Sequence, residues 1–103
     1  MIMFMLSHIV IFWTDPHNFA APDELIAAAT KLLKDIPGVK QFHIGKMVKS
    51  HRPVVDQTYQ VALNISFADK PAEQAYQVHP KHVEFAEKFA NYLAKKVVVY
   101  DFE

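Results

Sequence analysis

The sequence predicts an α+β fold in which the elements follow the order β-α-β-β-α-β and helices cover one face of a four-stranded antiparallel sheet. Three observations support this fold class. Several segments are rich in β-branched and aromatic residues or alternate in side-chain type, as strands do. Others repeat apolar residues every three or four positions, which is typical of amphipathic helices. Proline, glycine or short polar runs separate these segments.

The first strand is predicted over Leu6–Thr14, where both faces are largely apolar, so we expect it to be buried on two sides. A polar break at 15–18 follows it. A helix then begins around Pro22, because proline fits the first turn and the acidic residues after it suit the helix N-terminus. The apolar stripe of this helix consists of Leu25, Ile26, Ala29, Leu32, Leu33 and Ile36. Pro37-Gly38 ends it.

The remaining strands are predicted over 39–48, 59–67 and 97–102. In the second strand, Gly45 is expected to be a bulge or a point of close approach. The third strand has one apolar face and one mixed, polar face. The final strand consists mainly of valine and aromatic residues.

Two further helices lie between the third and fourth strands. The first is short, from Pro71 to about Val78, and Asp69 and Glu73 are expected to be surface charges there. The second is predicted from about Pro80 to Lys96, with one apolar face directed inward.

Composition limits the classes of function. Residues 1–103 are expected to form one domain, with 51% hydrophobic and 21% charged residues. Eleven basic residues balance eleven acidic ones, and without a lysine or arginine run we expect no nucleic-acid partner. The chain has no cysteine, which excludes disulfides and thiol catalysis. No apolar run approaches transmembrane length, so we expect a soluble, cytoplasmic protein with no membrane partner.

The apolar first strand also predicts self-association. Helices cover one sheet face, so the other would expose apolar side chains unless something packs on it. A second copy of the chain would bury that face, and a net charge of zero gives little repulsion between copies. We therefore predict a homodimer formed through the sheet face opposite the helices. Trp13 is expected in this interface, with an edge position in the core as the alternative.

Tyr76–Phe85 is the most informative segment for function, because it contains a phenol, two imidazoles and a carboxylate. Proline disfavours a helical conformation for the residue before it and fits the first turn of a helix. His79-Pro80 is therefore predicted to join two helices, with Tyr76 before the junction and His82 after it. Held at such a bend, these groups could line a pocket or could serve only as packing residues.

Motifs along nearly the whole chain resemble the stress-responsive dimeric α/β-barrel (Dabb) family. They are Ser7–Phe12, Ile36–Val39, Gly45-Lys46, the HPxHxxF run within Tyr76–Phe85, and Val97–Phe102. The resemblance implies a ferredoxin-like subunit whose sheet pairs with that of a second copy to form a barrel. It also implies a protein loosely associated with stress that binds a small hydrophobic molecule between sheet and helices.

Some plant relatives in this family are polyketide cyclases that use a tyrosine and a histidine, and these positions correspond to Tyr76 and His82. The histidine of the family's first strand corresponds to His8. A further cyclase histidine is replaced here by Val61, so the full polar lining is absent. A cyclase or another proton-transfer enzyme is therefore one alternative function. A cofactor-free monooxygenase of the related ferredoxin-like barrels is another.

The residues themselves suggest a mechanism for such a site. His82 could act as general base while Tyr76 donates a hydrogen bond to a developing oxyanion. The alternative is that both residues only pack at the helix junction, and His8 is a weaker catalytic candidate or a core histidine. The expected pocket lining is Val10, Phe12, Leu63, Phe85 and Phe89. His8, His79 and His82 lack a recognised metal-site spacing, so no metal and no cofactor is predicted.

Overall fold

A computed structural model describes residues 4–103 and has the predicted α+β fold. Residues 1–3 of the predicted domain lie outside the described residues. The strands are β1 (Leu6–Thr14), β2 (Gln41–Lys46), β3 (Val61–Phe67) and β4 (Ala94–Phe102). The helices are α1 (Ala21–Leu33), α2 (Lys70–Gln77), α3 (Pro80–Phe85) and the short α4 (Asn91–Leu93), with a π-helical turn (Ala86–Ala90) between the last two.

The sheet has the strand order β2-β3-β1-β4, and all neighbouring strands are antiparallel. β1 is one of the two inner strands, so its residues are aligned with residues of both β3 and β4. His8 lies opposite Ile65 of β3 and Asp101 of β4. Directly opposed residues share a face of the sheet, so the register places Asp101 on the same face as His8.

The core lies between this face and the helices. Alternate residues of β1, from Leu6 to Thr14, are buried, while those between them are partly exposed. The stripe predicted for α1 packs on the buried face, and Leu25 and Leu33 are fully buried. Burying each such leucine contributes about 1.5–3 kcal/mol. The packing of α1 on the sheet therefore accounts for much of the hydrophobic stabilisation.

The other sheet face is apolar along β1 and β4. Ile9, Ile11 and Trp13 are only partly buried there. From the pairing register, Tyr100 and Phe102 of β4 lie on the same face and are 59% and 62% exposed. Trp13 is held at the end of this face, where its indole Nε1 donates to Thr58 Oγ1 at 2.9 Å. A large apolar surface therefore remains on the sheet face opposite the helices.

Side-chain caps position the helices near the site. The Asp69 carboxylate accepts a hydrogen bond from the backbone N–H of Ala72 at 3.0 Å and caps α2. The His79 ring accepts from the backbone N–H of Lys81 at 3.1 Å and caps α3. The predicted helix junction at His79-Pro80 is therefore confirmed.

Three local predictions were wrong. The helix expected to reach Lys96 ends at Leu93, because residues from Ala94 onward pair with β1 and sheet pairing outweighs their helical pattern. Gly45 forms no bulge, since it pairs in continuous register with β3. It is not a point of close approach either, since a β-carbon there would meet only the His43 ring, at 3.9 Å. Glu73 is not a surface charge: it is 3% exposed, because it shares the inward face of α2 with Tyr76.

Within residues 4–103, no helix is long and apolar enough to cross a membrane.

The turn after α1 depends on Gly38, whose φ is +97°. An L-residue in this left-handed region costs about 1–2 kcal/mol. A β-carbon at this position would meet Ala72 only at an ordinary 3.6 Å, so backbone strain dominates. We expect Gly38→Ala to lower the free energy of unfolding by about 1–2 kcal/mol in urea titrations. Gly45→Ala is the matched control and should change it by less; equal effects would contradict this explanation.

Candidate functional site

A cavity of about 200 Å³ lies between the sheet and the helices. Its lining is mainly apolar. The lining residues are His8, Val10, Phe12, Leu33, Leu63, Tyr76, Gln77, His82, Phe85, Ala86, Ala90, Val97 and Val99. The last two belong to the edge strand β4 and are 45% and 47% exposed, so the cavity reaches solvent beside this strand.

Tyr76 forms the wall of the cavity on the α2 side and is 1% exposed. Its ring centroid lies 5.0 Å from that of Phe67, 4.7 Å from that of His82 and 5.8 Å from that of His8. In residues 4–103, every side-chain oxygen or nitrogen that is fully buried has a hydrogen-bond partner. No hydrogen bond joins the Tyr76 hydroxyl to another group of these residues. Tyr76 is itself one of the residues that line the cavity. Burial, followed by the negative charge of Glu73, raises the pKa of Tyr76, which keeps the phenol protonated as a hydrogen-bond donor.

His82 lies in the first turn of α3, where the break at Pro80 brings it back against Tyr76. Burial lowers the pKa of His82, and the charge of His8 acts in the same direction. The backbone carbonyl of Gln77 and the carboxylate of Glu73 act in the opposite direction. The net lowering favours the neutral imidazole, which is the form that can accept a proton.

His8 is buried on β1, and its Nδ1 lies 2.5 Å from Oδ1 of Asp101 on β4. This contact fixes the orientation of the imidazole at the polar end of the cavity. Asp101 is a site residue that was not predicted from the sequence. Its signal in the sequence is that it is the one acidic residue of β4, following three valines and a tyrosine, but the strand register is needed to align it with His8.

The structure brings together most of the predicted site residues. His8, Tyr76 and His82 all line the cavity, together with Val10, Phe12, Leu63 and Phe85. Phe89 lies in the π-helical turn and packs against the core, but it is not a lining residue. Over residues 4–103, no group of three or more histidine, aspartate or glutamate side chains is arranged to hold a metal ion.

The lowered pKa of His82 predicts a pH dependence of stability. The unfolded chain binds a proton at this histidine near pH ~6.5, whereas the folded protein binds it only at lower pH. Stability is therefore unaffected by this group at higher pH and falls as the pH drops below about 6.5, levelling off below the folded pKa. In urea titrations, we expect the wild type to lose more stability between about pH 7 and pH 5 than His82→Gln does. An equal loss in both proteins would contradict the pKa shift.

The sheet topology and the cavity define a ferredoxin-like α+β subunit with a polar-ended apolar pocket. The chain belongs to the stress-responsive A/B barrel domain (Dabb) family, whose sequence model matches residues 6–103. Two stress-response A/B barrel domain-containing proteins of Arabidopsis thaliana are similar in sequence. One is 32% identical over 78% of this chain and 70% of its own length, and the other 37% identical over 75% and 69%.

Solved structures share the fold. A Dabb-family protein from Mesorhizobium loti is 26% identical, with a TM-score of 0.75 over 96% of this chain and 95% of that one. A dimeric ferredoxin-like protein of unknown function from Jannaschia is 25% identical, with a TM-score of 0.74 over 96% and 98%. A hydroxynitrile lyase from Passiflora edulis has the same fold, with 20% identity and a TM-score of 0.80 over 96% and 92%.

Proposed function

We propose that the protein binds a small, largely apolar molecule carrying one oxygen function in the cavity between its sheet and helices. The observation that carries this proposal is the convergence of His8, Tyr76 and His82 on one end of an otherwise apolar cavity. Such a combination, with few polar groups that fix orientation, is characteristic of small-molecule sites. A carbonyl or hydroxyl oxygen would accept a hydrogen bond from Tyr76, while the rest of the ligand would contact Val10, Phe12 and Leu63.

The cavity volume limits the ligand. An engineered apolar cavity of about 150 Å³ binds benzene, so a cavity of about 200 Å³ accommodates one substituted ring or a short chain. The half-exposed Val97 and Val99 leave an open side through which a longer substituent would reach solvent.

The same arrangement supports proton transfer as a second candidate function. The neutral His82 is suited to remove a proton from a carbon next to the ligand carbonyl, and Tyr76 to stabilise the resulting enolate oxygen. His8, oriented by Asp101, also packs against Tyr76, with 5.8 Å between the ring centroids. The observation favouring this function is the 4.7 Å distance between the rings of Tyr76 and His82.

The first experiment is a ligand screen by thermal shift, using acetophenone, benzamide, β-keto esters and short fatty acids as probes. A probe at about 100-fold its dissociation constant stabilises the protein by about 2.7 kcal/mol. Tyr76→Phe keeps the ring but removes the hydroxyl, so it should weaken binding while stability is largely retained. Tyr92→Phe, at an 80% exposed position, is the control. A screen without any shift, or binding unaffected in Tyr76→Phe, would contradict the proposal.

We propose further that the chain forms a homodimer through the sheet face opposite the helices. Its support is the apolar surface along β1 and β4 together with the related Jannaschia protein, which is described as dimeric. Ile11→Lys would place a charge in this face and should give a monomer in light scattering. Ala27→Lys, on the exposed side of α1, is the control and should not. A monomeric wild type, or a dimeric Ile11→Lys variant, would contradict this interface.

A further inference from the structure

Glu73 is a buried carboxylate to which the proposed binding assigns no role. It is 3% exposed, and its Oε1 lies 3.2 Å from Nζ of Lys70. The Lys70 side chain is itself 51% exposed, so its charge is shared with solvent. A buried charge is costly when its partner is only partly buried. Packing alone would be served better by an apolar residue at this position.

The helix places this charge behind the polar end of the cavity. Glu73 lies one turn before Tyr76 on the inward face of α2, and the Tyr76 ring contacts those of His8 and His82. The charge of Glu73 acts on Tyr76 and on His82. It helps to raise the pKa of Tyr76, and it partly offsets the effect of burial, which lowers the pKa of His82. A second carboxylate, that of Asp101, lies against His8.

We infer that Glu73 makes the cavity select uncharged ligands over anionic ones, so that its ligands are ketones, amides or phenols and not carboxylates. This inference rests on the proposed binding function. A carboxylate ligand would lose its hydration in an apolar cavity and meet a like charge behind Tyr76. None of the described residues that line the cavity is lysine or arginine, and the lining imidazole of His8 is already paired with the Asp101 carboxylate, so an anion would find no unpaired permanent cation there. Tyr76 instead offers a neutral donor to a neutral acceptor.

The remaining charges near His82 fix the conditions of the test. The charged or titratable residues on the surrounding elements are Glu73 and Lys70 of α2, His8 of β1, Asp101 of β4, and Lys81 and Glu84 of α3. A protonated His82 would attract an anionic ligand, but the imidazole is neutral above its lowered pKa. At about pH 8, therefore, His82 contributes no positive charge.

The test compares benzamide with benzoate, two ligands of the same shape that differ in charge. At about pH 8 the wild type should bind benzamide at least about tenfold more tightly, the factor that corresponds to one pKa unit. Glu73→Gln, which preserves side-chain size, should reduce this ratio, whereas the exposed Glu87→Gln should not. Equal binding of the two by the wild type, or an unchanged ratio in Glu73→Gln, would overturn the inference while leaving the binding function intact. If neither probe binds, the inference fails, whereas the binding function fails only if the whole ligand screen gives no shift.

A second readout needs no ligand. In NMR titrations of the His82 ring, Glu73→Gln should lower the midpoint, because it removes a negative charge that favours the imidazolium. Lys70→Met should raise the midpoint, because it removes the opposing positive charge. The latter change is on a half-exposed side chain and provides the test if Glu73→Gln does not fold. An unmoved midpoint in both variants would overturn the inference.

Discussion

Replacing Tyr76 with alanine should destabilise the protein by about 3–5 kcal/mol, the range for truncating a large buried aromatic side chain. Tyr76 is among the largest fully buried side chains, and it packs against Phe67, His8 and His82 at once. Its removal would join a new void to the existing cavity and leave both imidazoles without their central neighbour. The expected loss is a large fraction of the total stability of an ordinary domain.

Chemical and thermal unfolding followed by circular dichroism measure this effect. For a domain of this size each kcal/mol corresponds to roughly 4–8 °C in Tm, so the midpoint should fall by at least about 12 °C. Tyr92→Ala removes the same side chain from an 80% exposed position and should cost little. A similar loss in both variants would mean that Tyr76 does not anchor α2 to the sheet.

Filling the cavity should abolish ligand binding without unfolding the protein. Ala86 and Ala90 line the cavity from the π-helical turn, and their small side chains leave the space open. Replacing either one with leucine adds apolar volume where a ligand would lie. We expect binding to weaken at least about tenfold, which corresponds to 1.4 kcal/mol or more. The stability change should stay below about 1.5 kcal/mol, because open space is available for the new atoms.

Isothermal titration calorimetry with the ligand found in the screen measures the affinity of these variants for that ligand. Glu87→Leu is the matched control, since it lies on the same turn but is exposed. Unchanged affinity in Ala86→Leu and Ala90→Leu would show that the ligand binds elsewhere. Because neither alanine carries a polar group, a loss of binding would be attributable to volume alone.

The fold could be predicted because its strands and helices have clear periodic patterns, as Leu6–Thr14 and the stripe of α1 illustrate. The HPxH segment likewise predicted the helix junction that brings Tyr76 and His82 together. Asp101 could not be assigned, because its contact with His8 depends on a strand register spanning 93 positions. The burial of Glu73 also escaped prediction, since a glutamate near a helix start usually faces solvent. The end of the last long helix was missed because pairing with β1 decides it.

The central position of β1 also bears on how the chain folds. This strand is synthesised before both of its sheet neighbours, which follow it by about 50 and about 90 positions along the chain. Pairings between such distant residues close large loops, which slows folding compared with helical domains of similar size. During translation, β1 remains an unpaired apolar segment until β3 and β4 have emerged from the ribosome. The demand for protection by chaperones should therefore be greatest during translation, before the last strand completes the sheet.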